Sequence, residues 1–314
     1  MSKVAIIQQA PRVLDRQATL EAASGQIAAA AAQGAELVVF PEAHLSGYPA
    51  WVWRLRPGGD WSLCEELHQR LLDNAVDMAA DGLARLREAA REAGVTVVIG
   101  INERDGSAGR STVFNSVVTI GAGGEILNHH RKLMPTNPER TVWGCGDAAG
   151  LRVVDTPPGR IGSLLCWENY MPLARFALYA QGMDIHIAPT YDSGDDWLGS
   201  LRHIAREGGC WVIGAGVALR RRDIPADFPE RDRLYPPQED WINPGDSVVI
   251  APGGAIVAGP LHEQQGVLYA EIDSALAAAA RRTFDVAGHY ARADVLKLQV
   301  DRRRQPPAEF IDQL

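Results

Sequence analysis

Residues 161–189, "IGSLLCWENYMPLARFALYAQGMDIHIAP", decide how the chain reads. An apolar run from Ile161 to Cys166 gives way to a helical pattern from about 171 to 181, and a second apolar run follows from Asp184 to Pro189. Short apolar runs between polar segments read as buried strands, and a longer amphipathic stretch reads as a helix. Pro172 suits a first helical turn, where its missing N–H is one of the donors without an internal partner. Strand, helix and strand in succession belong to the α/β class. The stretch also leaves a thiol, Cys166, where the first strand ends.

The same alternation extends in both directions. Upstream, strands are expected at 4–10, 36–40, 95–101, 112–121 and 125–133, with helices over about 15–33 and about 64–93 that end at Gly34 and Gly94. "GAGGE" between the last two strands reads as a hairpin turn. Downstream come a helix over about 196–208, a strand "CWVIGAGVAL" from Cys210, a polar loop over 220–245, and strands in "SVVIAP", "AIVAG" and "GVLYAEID". Strands that alternate with helices and also pair as hairpins favour mixed sheets covered by helices. No linker, repeat or low-complexity segment interrupts the chain, so one domain over 1–314 is expected, with a short tail from about 293.

Composition narrows the function. Of the 314 residues, 46% are hydrophobic, which is enough for a large core. The formal charge of -8 would repel a phosphate backbone, so no nucleic-acid partner is expected. No apolar run reaches the roughly 18 residues of a membrane span, and the N-terminus lacks a signal peptide's apolar core. A cytoplasmic protein with no membrane partner is expected. Cys64, Cys145, Cys166 and Cys210 lie far apart with no C-x-x-C pair, which points to reduced thiols rather than a zinc or dithiol site. His129, His130, His186, His203 and His289 show no metal-ligand spacing, so no metal is expected.

Three strand-like runs end in reactive side chains: Glu42, Lys132 and Cys166. The carboxyl ends of strands in α/β folds are where sites gather. Taken singly, a glutamate or lysine after a strand is ordinarily a solvated loop charge, and a cysteine a small core hydrophobe. Together they supply a base, a cation and a nucleophile. A helix N-terminus or a cation beside Cys166 would lower its pKa from about 8.5 toward neutrality. Cys210 reads as core, Cys64 as helix packing or a partly exposed thiol, and Cys145 as a loop thiol close in sequence to the other candidates. A Cys-His dyad is the weaker arrangement, because the glutamate and lysine occupy the strand ends.

Three ordered blocks carry a resemblance: "VVFPEAHLSGYP" (38–49), "HRKLMPTNPERTVWGCGD" (130–147) and "GSLLCWENYMPLARFALYAQG" (162–182). They resemble the signature blocks of the nitrilases, in the nitrilase branch of the carbon-nitrogen hydrolase superfamily, and the likeness runs from Val4 to about Val300. The resemblance implies an α-β-β-α sandwich of two mixed sheets, and it places the family's Glu-Lys-Cys triad on Glu42, Lys132 and Cys166. A further active-site glutamate falls on Glu139. It also implies hydrolysis of a small-molecule nitrile to acid and ammonia through a covalent thioimidate and thioester, with no metal or organic cofactor. Tyr48, Trp167 and Tyr191 are expected to bind substrate, while Trp51, Trp53 and Tyr170 also flank the motifs. An amidase or a cyanide dihydratase shares the same residues, and a non-catalytic scaffold would have no need of them. Departures are Cys145 and Ala148 in "WGCGDAAG", which bear on pocket shape, and the short tail, which bears on assembly. A homodimer or larger discrete homo-oligomer, paired through the helix at about 171–181, is expected.

Overall fold

The computed structural model describes residues 1–106, 109–304 and 308. In chain order the strands and helices are β1 (Ser2–Gln8), α1 (Arg16–Ala32), β2 (Leu37–Val39), α2 (Trp61–Asp73), β3 (Val76–Asp77), α3 (Ala84–Ala93), β4 (Thr96–Arg104), β5 (Val113–Ile120) and β6 (Ile126–Arg131). There follow β7 (Val154–Thr156), β8 (Gly159–Ser163), α4 (Pro172–Tyr179), β9 (Ile185–Thr190), α5 (Asp195–Gly208), β10 (Trp211–Gly216) and β11 (Ala218–Arg220). The remainder are α6 (Arg231–Leu234), β12 (Trp241–Ile250), β13 (Ile256–His262), β14 (Gly266–Ile272) and α7 (Ser274–Thr283).

Among the described residues these strands form two seven-stranded sheets. The first runs β14-β1-β2-β4-β5-β6 with β3 beside β4, and the second runs β11-β12-β10-β9-β8-β7 with β13 beside β12. Both are mixed. In the first, β1, β2 and β4 are parallel while β5 and β6 return as hairpins. In the second, β8, β9 and β10 are parallel and β12 runs against β10.

Strand alternation builds the layers. On β1, Val4 and Ile6 face the second sheet, where they pack with Ile185, Ile187, Ile213 and Val249. Ala5 and Ile7 point the other way, onto Leu20, Ala23 and Ile27 of α1 and Leu86 and Ala90 of α3. The second sheet repeats the scheme: Ala188, Val212 and Val248 pack on Leu178 of α4 and on Trp197 and Leu201 of α5. The period-2 side-chain pattern therefore buries both faces of each sheet, and the result is the expected four-layer α-β-β-α sandwich.

Three elements differ from the sequence reading. The single helix expected over 64–93 is two, α2 and α3. Leu67 and Leu71 belong to a cluster with Trp51 and Phe228, whereas Leu86 and Ala90 belong to the outer core of the first sheet. One straight helix cannot serve both. Between them Asp77 turns the chain by accepting the N–H groups of Ala79 and Ala80, and Val76–Asp77 pairs with Glu103 and Arg104. The strand expected from Cys210 breaks at Val217 into β10 and β11, with Cys210 itself buried before the strand. The polar loop expected over 220–245 contains α6 and the first residues of β12. Arg220 lies over the Trp241 ring at 4.9 Å, and Arg220 and Trp241 pair across β11 and β12, so those polar residues join the ladder instead of a loop.

Candidate active site

The sequence brings Glu42 to the sheet edge by a loop that leaves β2 but stays on β4. Phe40 N–H donates to Val98 O at 2.8 Å and Leu45 N–H to Gly100 O at 3.1 Å, so residues 41–45 arch over Gly100. A Cβ on Gly100 would lie 2.8 Å from Glu42 Cα and closer still to Pro41 O and Ala43 N, which is why glycine is needed there. Lys132 follows β6 directly, its N–H donating to Asn115 O at 2.8 Å. Glu139 sits in a 3-10 turn, Asn137–Thr141, and its Oε2 accepts the Thr136 N–H at 2.6 Å.

Cys166 arrives from the other sheet. Leu164 N–H donates to Ile187 O at 3.1 Å, extending the pairing of β8 with β9, and the chain then turns into a 3-10 segment, Cys166–Tyr170, ahead of α4. Cys166 takes a left-handed conformation, φ 48°, which costs a non-glycine residue about 1 kcal/mol or more. Asn169 holds it there: its Nδ2 donates to Leu164 O at 3.0 Å and to Cys166 O at 2.8 Å.

The four predicted catalytic side chains converge, all buried. Lys132 Nζ donates to Glu42 Oε1 and to Glu139 Oε2, each at 2.8 Å. Asn115 Nδ2 and the Tyr191 N–H donate to the two oxygens of Glu42, both at 2.7 Å. The Tyr48 hydroxyl donates to Glu139 Oε1 at 2.6 Å and receives Trp53 Nε1–H at 2.9 Å. Burial by itself would lower the Lys132 pKa, but the charges of Glu42, Cys166 and Glu139 hold it well above the ordinary lysine value. Burial raises the Glu42 pKa against the opposing pull of Lys132, and Glu139 adds to the rise.

The thiol departs from expectation. Burial, followed by the charge of Glu42, pushes the Cys166 pKa up, and Lys132 and a hydrogen bond from Thr190 only partly oppose this. Lowering by a helix N-terminus does not prevail, because α4 starts only at Pro172, past the 3-10 segment. With one lysine between two carboxylates, ionising Cys166 would leave the buried cluster with a second uncompensated negative charge.

The aromatic residues divide. Tyr48 and Tyr191 stack with ring centroids 3.8 Å apart beside the charged cluster, whereas Trp167 is 47% exposed and its Nε1–H donates to Asp192 at 2.8 Å. Tyr170 shares that acceptor, and Trp51 is core. Cys145 is exposed, and its Sγ lies 3.9 Å from Met134 Sδ. A groove of about 540 Å³ runs along Val52, Leu55, Trp61, Cys64, Pro138 and Thr141, and none of the four residues lines it. Sequence reasoning missed Asn115, Thr190, Asn169 and Glu168. Glu168 stood in plain view two residues after Cys166, but a polar residue at the start of a helix has too many ordinary uses to be singled out.

The chain is similar to proteins of one family. The carbon-nitrogen hydrolase family profile matches residues 3–282. A bifunctional nitrilase/nitrile hydratase of Lupinus angustifolius is 39% identical over 98% of this chain and 88% of its own length. Nitrilase 2 of Arabidopsis thaliana is 38% identical over 99% of this chain and 92% of its own, and an aliphatic nitrilase of Sinorhizobium fredii is 38% identical over 95% of each. Among solved structures, a carbon-nitrogen hydrolase from Helicobacter pylori superposes with TM-score 0.69 at 20% identity, over 93% of this chain and 96% of that one. An amidase from Nesterenkonia superposes with TM-score 0.65 at 21% identity, over 90% and 96%.

Proposed function

The chain belongs to the carbon-nitrogen hydrolase family, and from that premise we propose that it is a nitrilase, converting an organic nitrile to the carboxylic acid and ammonia. The observation that carries the reading is the buried chain of contacts Glu42, Lys132 and Glu139 beside Cys166. A nitrile carbon accepts a sulfur nucleophile only if charge growing on nitrogen is met, and Lys132 is the cation placed to meet it. As the Cys166 sulfur bonds to the nitrile carbon, its proton passes to Glu42 and on to nitrogen, giving a thioimidate. Water then adds to the thioimidate carbon, Glu42 passing one of its protons to nitrogen and then, as the carbonyl forms, relaying the remaining hydroxyl proton to nitrogen as well. The C–N bond breaks, ammonia leaves and a thioester remains. A second water attacks the thioester, the C–S bond breaks, and the acid departs as the thiol regains its proton. Glu139 anchors Lys132, and its own place is fixed by Tyr48 and Thr136.

Tyr48, Tyr191 and Trp167 are assigned to substrate contact, the first two beside the charged cluster and the third at the outer rim. The enzyme works as a soluble homodimer or larger homo-oligomer in the cytoplasm, and the chain forms one catalytic domain with a short tail from about 293, of which 305–307 and 309–314 lie outside the described residues. Among the described residues no helix is long and apolar enough to cross a membrane.

An amidase is the second reading, since attack on a carboxamide uses the same four groups. The curated relatives at 38–39% identity are named as nitrilases, whereas the amidase likeness at 21% speaks to fold alone. The deciding experiment supplies matched nitriles and amides, aliphatic and aromatic, and follows acid, amide and ammonia by chromatography. Acid and ammonia in equal amounts from nitriles are expected, with amide a minor product. Turnover of amides alone would replace the nitrilase reading with the amidase one.

A further inference from the structure

Lys132 leaves the edge of one sheet and Cys166 leaves the other, so neither sheet's own ladder fixes the distance between cation and nucleophile. Glu168 spans that seam. Its carboxylate is 1% exposed and lies between the two loops. Oε1 accepts the N–H of Leu133, the residue after Lys132, at 2.7 Å. Oε2 accepts the N–H of Leu165, the residue before Cys166, at 2.8 Å. His130 Nε2, from β6, lies 3.0 and 3.1 Å from the same two oxygens.

We propose that Glu168 is a positioning residue, a single carboxylate that sets the separation of the lysine loop and the nucleophile loop across the sheet-sheet seam. It touches no reacting atom and acts through Lys132 and Cys166. Burial by itself would raise its pKa, but His130 and the two backbone donors outweigh burial and hold it below the ordinary carboxylate range, so the two-acceptor form persists. Both oxygens are needed as acceptors, because each faces a backbone N–H that no side-chain change elsewhere can redirect. Glu168→Gln puts an NH2 against one of those donors, and that loop must move. Glu168→Asp keeps two acceptors on a shorter stem.

The proposal rests on the nitrilase reading for its substrate, but the test has one readout that involves no nitrile. For both variants, kcat and KM are measured on a nitrile that the parent turns over, together with the rate at which iodoacetamide alkylates Cys166, all per folded protein. Since a misplacement of about 1 Å costs roughly 100-fold in rate, Glu168→Gln is expected to lose about 30- to 100-fold in kcat with KM little changed. Its Cys166 alkylation should slow as well, and Glu168→Asp should recover much of both rates. Parent-like rates in Glu168→Gln, with only a lower melting temperature, would overturn the proposal by making Glu168 a fold-supporting residue. If Glu168→Gln does not fold, Glu168→Asp decides by the same readouts: lowered kcat and alkylation support positioning, unchanged rates overturn it. A parent that turns over no nitrile would fail the nitrilase reading, and the alkylation comparison would still decide the role of Glu168.

Discussion

At the scale of the residue, the thiol and its base have to be considered together. Cys166 is held neutral by burial and by Glu42, and Glu42 itself has a raised pKa because burial outweighs Lys132. Sulfur therefore becomes nucleophilic as it loses its proton to Glu42, not beforehand. The sign of the pH dependence follows. As pH falls through the raised Glu42 pKa, Glu42 takes up a proton and can no longer accept one from Cys166, so kcat/KM drops on the acid side. The same limb should govern alkylation of Cys166 by iodoacetamide in the parent, and Glu42→Gln should slow both alkylation and turnover by about 1000-fold or more. A rate of alkylation that climbs tenfold per pH unit between pH 7 and 9 would show instead that free thiolate is the nucleophile. Cys166→Ala should abolish turnover with the fold intact.

Among the elements, β4 does most to place the base. Its central residue Gly100 lies under the Glu42 loop, with no room for a Cβ between strand and loop backbone. Because the overlap is with backbone atoms, no rotamer change relieves it, and Gly100→Ala should push the 41–45 loop outward. A loss of about 1 to 3 kcal/mol in unfolding free energy is expected, as for other overpacked sites. Displacement of Glu42 should also lower kcat of the folded enzyme by roughly 100-fold. Thermal unfolding and active-site kinetics on the same preparation check both, and a fully active Gly100→Ala enzyme would show that the loop is free to shift without consequence. The sequence offered no reason to look at this glycine. It lies inside an apolar strand, and only the crossing of the loop gives it a purpose.

On the scale of the whole molecule, the surface around α4 is unusually apolar for one that faces water. Trp167, Tyr170, Met171 and Leu173 are exposed at 47%, 38%, 37% and 65%, and they lie on or just ahead of the helix that begins after the nucleophile turn. Exposed apolar groups gathered in one patch mark a contact surface more often than scattered ones do. Light scattering at micromolar concentration should therefore give a homodimer or a larger discrete assembly. Leu173→Glu should shift the mass toward monomer and lower kcat, because α4 abuts the turn that holds Cys166. A fully active monomer would remove the link between assembly and catalysis.

The sequence by itself pointed to the α/β class, to Glu42, Lys132 and Cys166 at strand ends and to most strand positions, because those depend on periodicity and local order along the chain, while Glu139 came only from the resemblance of the motif blocks. The apolar run that opens "VAIIQQA" already read as a first strand. What it could not supply was anything that depends on two distant segments meeting. The break between α2 and α3 depends on which cores Leu67 and Leu86 join, and the polar stretch that became β12 depends on Trp241 finding Arg220. The raised pKa of Cys166 depends on how deeply the fold buries it beside Glu42, and reading the thiol from its neighbours in sequence gave the wrong sign. Burial and the approach of opposing sheets are properties of the packed chain, so tertiary structure alone decided the charge state of the nucleophile and the clasp of Glu168 between Leu133 and Leu165.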